Sequence, residues 1–137
     1  MALSGREHNS LRFMERQQGG GVMTWVYKVS SHSFYLNGTY QFDALYSGRP
    51  GFKNDSANEC VSEKGPLPRG TYTIGLAFYH HKTKAYTIRL TPYPENQMCG
   101  RDGFMIHGNS SRHPLSASDG CIILGLAGRK EINDSSD

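Results

Sequence analysis

His107 and Cys121 lie fourteen positions apart, in the runs Gly103-Phe104-Met105-Ile106-His107-Gly108-Asn109 and Ser118-Asp119-Gly120-Cys121-Ile122-Ile123-Leu124. Each sits at the edge of an apolar, strand-like stretch, and Cys121 directly follows a Ser-Asp-Gly turn signal. A cysteine with an ordinary pKa of about 8.5 is only a few per cent thiolate at neutral pH, so a nucleophilic cysteine needs a base or positive charge beside it. Histidine is the usual supplier, which makes the pair a candidate nucleophile and general base. Gly120 lets the backbone approach a substrate closely, and the N–H groups of Gly120 and Cys121 are candidates for an oxyanion hole. The same residues have a plainer reading: a small buried hydrophobe before Ile-Ile-Leu, and a hydrogen-bonded histidine at a strand edge.

For the pair to meet, residues 104–107 and 121–124 must lie side by side as strands. The segment between them, with Asn109, Ser110, Ser111, Pro114, Ser116, Ser118 and Asp119, is a polar loop that permits this. Asp119 is a candidate to orient His107 or to cap the turn before Cys121, and Asx-turn chemistry favours the cap. Asn109, two residues beyond His107, would share its sheet face and is a candidate orienter or substrate contact. Ser116 and Ser118 are candidate substrate donors, although loop serines are mostly solvated.

The rest of the chain reads as short strands and turns. Residues 24–30 and 33–36 alternate aromatic or branched with polar residues, and Asn37-Gly38 is a strong hairpin signal. Residues 41–46 are the expected returning strand, 47–67 a loop, 71–78 and 85–90 two further strands, and 91–101 a second loop. Only 128–133 suggests a helical turn. The expected fold is therefore mostly β with little helix, a small antiparallel β sandwich or barrel-like domain. Residues 1–22, polar and ending in a glycine run, read as an N-terminal extension or linker, leaving 23–137 as the domain. In Gly65-Pro66-Leu67-Pro68-Arg69-Gly70, the prolines and glycines specify a rigid turn into the strand at Thr71.

Composition narrows the function classes. The 137 residues carry 15 Lys and Arg against 12 Asp and Glu, a net charge of +3, without a dense basic cluster. No aromatic-interleaved basic stripe points to nucleic acid. No run approaches the roughly 20 apolar residues of a membrane span, and the first 21 residues lack the apolar centre of a signal peptide.

The ordered motifs resemble a known family. The His and Gly-Cys segments are similar to the L,D-transpeptidase catalytic motif, and closer still to the bacterial DUF2778 family, whose members include type VI secretion L,D-transpeptidase effectors. Met23-Thr24-Trp25-Val26-Tyr27, Tyr46-Ser47-Gly48, Lys53-Asn54 and Gly65-Pro66-Leu67-Pro68-Arg69-Gly70-Thr71-Tyr72 follow that family's order, so the resemblance spans about 23–132. Asp119 stands where the general L,D-transpeptidase box has histidine, and Ile123 where it often has Arg or Asn. Relatives commonly continue into one more strand beyond Asp137, which suggests a truncated or short member.

The resemblance implies an L,D-transpeptidase or L,D-carboxypeptidase acting on peptidoglycan tetrapeptide stems, with Cys121 and His107 catalytic and Gly120 and Asp119 beside them. It implies Arg69 as a contact to a stem-peptide carboxylate, beside Asn109, Ser116 and Ser118, the substrate-contact candidates read above from position and residue type. No cofactor or metal is implied. An antibacterial effector would be carried out by a secretion machine, act in a target's periplasm, and meet an immunity protein. The alternatives are a non-catalytic module that binds cell wall or a partner, and a zinc-dependent peptidoglycan hydrolase using His107, His113, Asp119 or Cys121. No ligand box supports zinc, and His80 and His81, adjacent on a strand, would point to opposite faces. Cys60 and Cys99 are either two thiols or a disulfide suited to an oxidising compartment, and either choice leaves Cys121 unpaired.

Overall fold

The structure is a computed structural model describing residues 10–18, 21–109 and 121–135. Asp119, Gly120, Ser116, Ser118 and His113 therefore lie outside the described residues. Among the described residues ten strands form one sheet: β1 (Leu11–Gln18), β2 (Gly21–Lys28), β3 (Ser33–Leu36), β4 (Thr39–Asp43), β5 (Tyr46–Ser47), β6 (Gly70–Ile74), β7 (Phe78–His80), β8 (Lys84–Pro92), β9 (Met105–His107) and β10 (Ile122–Ile123). Their order is β4-β3-β2-β1-β6-β8-β9-β10-β5, with β7 paired to β8 off this path. The fold is mostly β with little helix, as the sequence leads one to expect. The sheet is mixed, because β1–β6 and β9–β10 pair in parallel, and it does not close into a barrel. The helix among the described residues, α1 (Leu126–Asp134), overlaps the predicted helical turn. No helix among them is long and apolar enough to cross a membrane.

Where the strands end differs from the sequence expectation for local reasons. Asn37 and Gly38 take φ of 49° and 89° and close the β3–β4 hairpin, as a tight two-residue turn requires. The expected strand over 41–46 splits at Ala44 and Leu45. Ala44 donates its N–H to His32 O at 2.6 Å, whereas Leu45 donates to Ile123 O at 2.8 Å. The chain thus passes there from one edge of the sheet to the other. The expected strand over 71–78 also divides, and Gly75 donates to Arg89 O between its two parts.

The largest difference is at the N-terminus. Residues 11–18, which the sequence assigns to a polar extension, form an interior strand between β2 and β6. Its alternation is inverted relative to polarity: Arg12, Met14 and Arg16 are buried while Leu11, Phe13 and Glu15 are only partly so. The arginines are tolerated inside because backbone carbonyls satisfy them. Arg12 Nε donates to Leu67 O at 2.7 Å. Arg16 donates to Gly75 O at 2.5 Å and, at the end of α1, to Ile132 O and Asn133 O at 3.3 and 2.9 Å. A cation at a helix C-terminus also meets the negative end of the helix dipole.

The core is a single cluster of aromatic and aliphatic side chains. Phe34 lies between Trp25, edge-on at 6.1 Å, and Tyr27, at 4.8 Å between ring centroids. Ile88, Leu90, Ile106, Ile122 and Ile132 belong to the same cluster, with Phe104 edge-on to Tyr72 at 5.9 Å.

Candidate active site

Ile106 and Ile122 are register partners on the parallel strands β9 and β10, and both are fully buried. Their neighbours are His107, the last residue of β9, and Cys121, the residue just before β10, both buried; alternation carried one residue past each strand would turn them to the same face. Adjacent strands lie about 4.8 Å apart and two residues advance about 6.6 Å, so the Cα atoms sit on a diagonal of about 8 Å. Two side chains extended toward each other can close that span. Leu124 N donates to His107 O at 2.9 Å and continues the pairing past the histidine. The side-by-side strands expected from sequence are thus present over their central residues.

Cys121 is a buried thiol outside any disulfide, with Sγ 3.7 Å from Gly103 O. His107, also buried, has Nδ1 2.8 Å from Gly108 O. A carbonyl oxygen only accepts, so this contact assigns the proton to Nδ1 and leaves Nε2 as the basic nitrogen. Beneath the turn, Arg129 is fixed by Leu124 O at 2.9 Å and by Ala85 O and Tyr86 O, each at 3.2 Å. Burial lowers its pKa from the usual arginine value.

Tyr46 and Ser47, buried on β5, flank the pair from the edge strand. Tyr46 is in register with Ile123, which is in register with His107. Tyr46 Oη donates to Asn109 Oδ1 at 2.9 Å. Asn109 is therefore near the site, held by a tyrosine. In the sequence, Tyr46-Ser47-Gly48 is visible as a motif but its residue types point to no role. Local sequence has no signal for Arg129 or Glu59, since no periodic pattern distinguishes a buried arginine on a short helix or a buried glutamate in a loop.

Arg69 lies away from the pair, in a cleft of about 340 Å³ bordered also by Glu59, Cys60, Gly70, Asn96, Gln97 and Cys99. Glu59 accepts from Arg69 Nε and backbone N, both at 2.7 Å, and from Arg69 Nη2. Glu59 also pairs with Arg12 Nη2 at 3.5 Å. Burial alone would raise the Glu59 pKa. The Arg69 side-chain and backbone hydrogen bonds and the charges of Arg12 and Arg69 outweigh it, and the net shift is downward. Arg12, enclosed nearby, is pushed down to about 10 by burial against the pull of Glu59. Cys60 and Cys99 are joined by a disulfide, with Cα atoms 5.3 Å apart. It ties the Glu59 loop to the segment carrying Arg101, whose guanidinium donates to Glu59 O, to Pro66 O at 2.9 Å and to Gly65 O at 3.0 Å.

His80 and His81 do not point apart as expected. Their rings stack with centroids 4.7 Å apart, because His80 is the last residue of β7 and strand alternation stops there. Among the described residues no group of three or more His, Cys, Asp or Glu side chains gathers as metal ligands would.

A family model described as the Tlde1 domain matches residues 41–133, more than half of the chain. The protein belongs to this family, which is one of type VI secretion effectors of L,D-transpeptidase type. The matched span contains β5, β9, β10 and the Gly65–Arg69 turn, hence every described residue of the candidate site. Comparison with curated proteins and with solved structures yields no match.

Proposed function

We propose that the protein is a cysteine L,D-transpeptidase with L,D-carboxypeptidase activity, acting on peptidoglycan tetrapeptide stems as an antibacterial toxin in the periplasm of a target cell. A type VI secretion machine would deliver it, and an immunity protein would protect the producer. Family membership supports the effector role. The observation that supports the chemistry is the parallel pairing of β9 with β10, which sets the strand ending at His107 beside the strand that follows Cys121.

In this reading the thiol swings from Gly103 O toward His107, whose Nε2 takes its proton. The Cys121 thiolate attacks the carbonyl at the L-centre of meso-diaminopimelate. The tetrahedral oxyanion is met by the N–H groups of Gly120 and Cys121. Imidazolium then protonates the leaving amine, releasing D-alanine and a thioester. Water, a free D-amino acid or another stem's amine resolves the thioester, giving hydrolysis, exchange or a crosslink. Asn109, Ser116 and Ser118 would contact the stem, and Asp119 would cap the turn before Cys121. A stem carboxylate reaching Arg69 has to compete with Glu59, so Arg69 contributes positive potential to its cleft rather than an open fork.

The test is incubation of the purified protein with defined disaccharide-tetrapeptides and mass spectrometry of the products. D-Alanine release or exchange is expected, with none from Cys121→Ala and a loss of about 10²-fold or more from His107→Ala. Activity should survive chelation and disappear on alkylation of Cys121. Full activity in Cys121→Ala ends the reading.

A further inference from the structure

Tyr46-Ser47-Gly48 contacts Asn109, Cys121 and the Gly65–Arg69 turn, although none of its side chains enters the acyl transfer described above. The Ser47 hydroxyl is completely buried. It donates to Cys121 O at 2.9 Å and accepts from Leu67 N at 2.9 Å. A hydroxyl has a single proton, so these two partners fix its direction, and the nucleophile's own carbonyl is held at one end. The Ser47 backbone is itself locked, its N–H donating to Asn54 Oδ1 at 3.0 Å and its carbonyl accepting from Asn54 N at 2.9 Å. Tyr46, one residue earlier, holds Asn109 and so the chain that leaves His107. Gly48, at φ +99°, packs backbone to backbone against Pro66 and Lys53, where a Cβ would come within 3.0 Å of each. No larger residue fits there without moving the Gly65–Arg69 turn.

We infer that Tyr46 and Ser47 are positioning residues for the Cys-His pair, Ser47 fixing the Cys121 backbone and Tyr46 the segment that follows His107. The inference rests on the proposed catalytic pair. Its physical basis is that a thiol and an imidazole on an 8 Å strand diagonal meet only if both backbones hold their register, and a misplacement of about 1 Å costs about 10²-fold in rate.

The test uses the full chain with its disulfide intact, so that Cys121 is the thiol available for alkylation. Ser47→Ala, Ser47→Thr and Tyr46→Phe are compared with wild type for thermal melting, for the pH dependence of Cys121 alkylation by iodoacetamide, and for kcat and KM on a tetrapeptide muropeptide. Ser47→Ala is expected to lower kcat about tenfold or more with KM little changed, and to move the alkylation midpoint to higher pH as the thiolate loses its imidazolium. Ser47→Thr, which keeps the hydroxyl, should recover most of both. Tyr46→Phe should lower kcat in the same direction. A folded Ser47→Ala with wild-type kcat and alkylation profile overturns the inference. If that variant does not fold, a folded Tyr46→Phe with wild-type behaviour does so. Should the wild type release nothing from muropeptides, the function reading fails, and an unaltered alkylation profile in the variants still decides the positioning role.

Discussion

Arg129 lies so close beneath Gly108 that a Cβ on Gly108 would come within 2.8 Å of Nη2. A free arginine would move aside, but three carbonyls hold this one. Gly108 also supplies the carbonyl that orients His107. Gly108→Ala should therefore destabilise the fold by about 1–3 kcal/mol, the usual cost of overpacking, and reduce muropeptide turnover about tenfold or more by turning the imidazole. Denaturant titration and steady-state kinetics check both effects. Wild-type stability would show that Arg129 yields freely.

Acid should act through Glu59. Its folded pKa lies below the ordinary 4.5, so the stabilisation is present above that value and is lost as pH falls through the folded value. Urea midpoints measured from pH 7 to pH 3 should drop for the wild type and depend less on pH for Glu59→Gln. At pH 7 that variant should be less stable by about 3 kcal/mol, because Arg12 stays buried without its carboxylate. Parallel pH profiles would remove Glu59 from the acid response.

The disulfide closes a loop across a sequence separation of 39. Replacing Cys60 and Cys99 together by Ala should lower stability by about 2–4 kcal/mol, with the same loss in wild type on adding reductant. Non-reducing peptide mapping of periplasmic protein should recover Cys60 linked to Cys99 and Cys121 alkylated. Alkylated Cys60 and Cys99 in that material would exclude the bridge.

Toxicity should depend on compartment. Polymerised stem peptides lie across the membrane from the site of synthesis, so the cytoplasmic form should be harmless. The same chain with an added signal peptide should make a sensitive bacterium swell or lyse, and exported Cys121→Ala should not. Growth curves of the three strains decide it. Equal toxicity of the cytoplasmic form, or toxicity retained in exported Cys121→Ala, would rule out cell-wall thiol chemistry.

Local pattern by itself determined the strands on which the candidate chemistry stands. The apolar runs around Ile106 and Ile122 announce two buried strands, and Asn37-Gly38 announces a hairpin, because these signals depend on neighbours a few residues away. Family motifs in order then carried the effector assignment. Tertiary structure alone decided which strands pair, and so that the strand ending at His107 runs beside the one that follows Cys121. It also decided that Arg12 and Arg16 point inward from a strand whose polarity pattern reads the other way. Besides Leu11 O next to Arg12, they reach Leu67 and Glu59 in one case and Gly75, Ile132 and Asn133 in the other, all at least 47 residues along the chain. A buried charge is tolerable only where distant carbonyls and carboxylates converge on it, and no window of local sequence contains that convergence. The same holds for Ser47, whose hydroxyl joins Leu67 to Cys121 across separations of 20 and 74 residues.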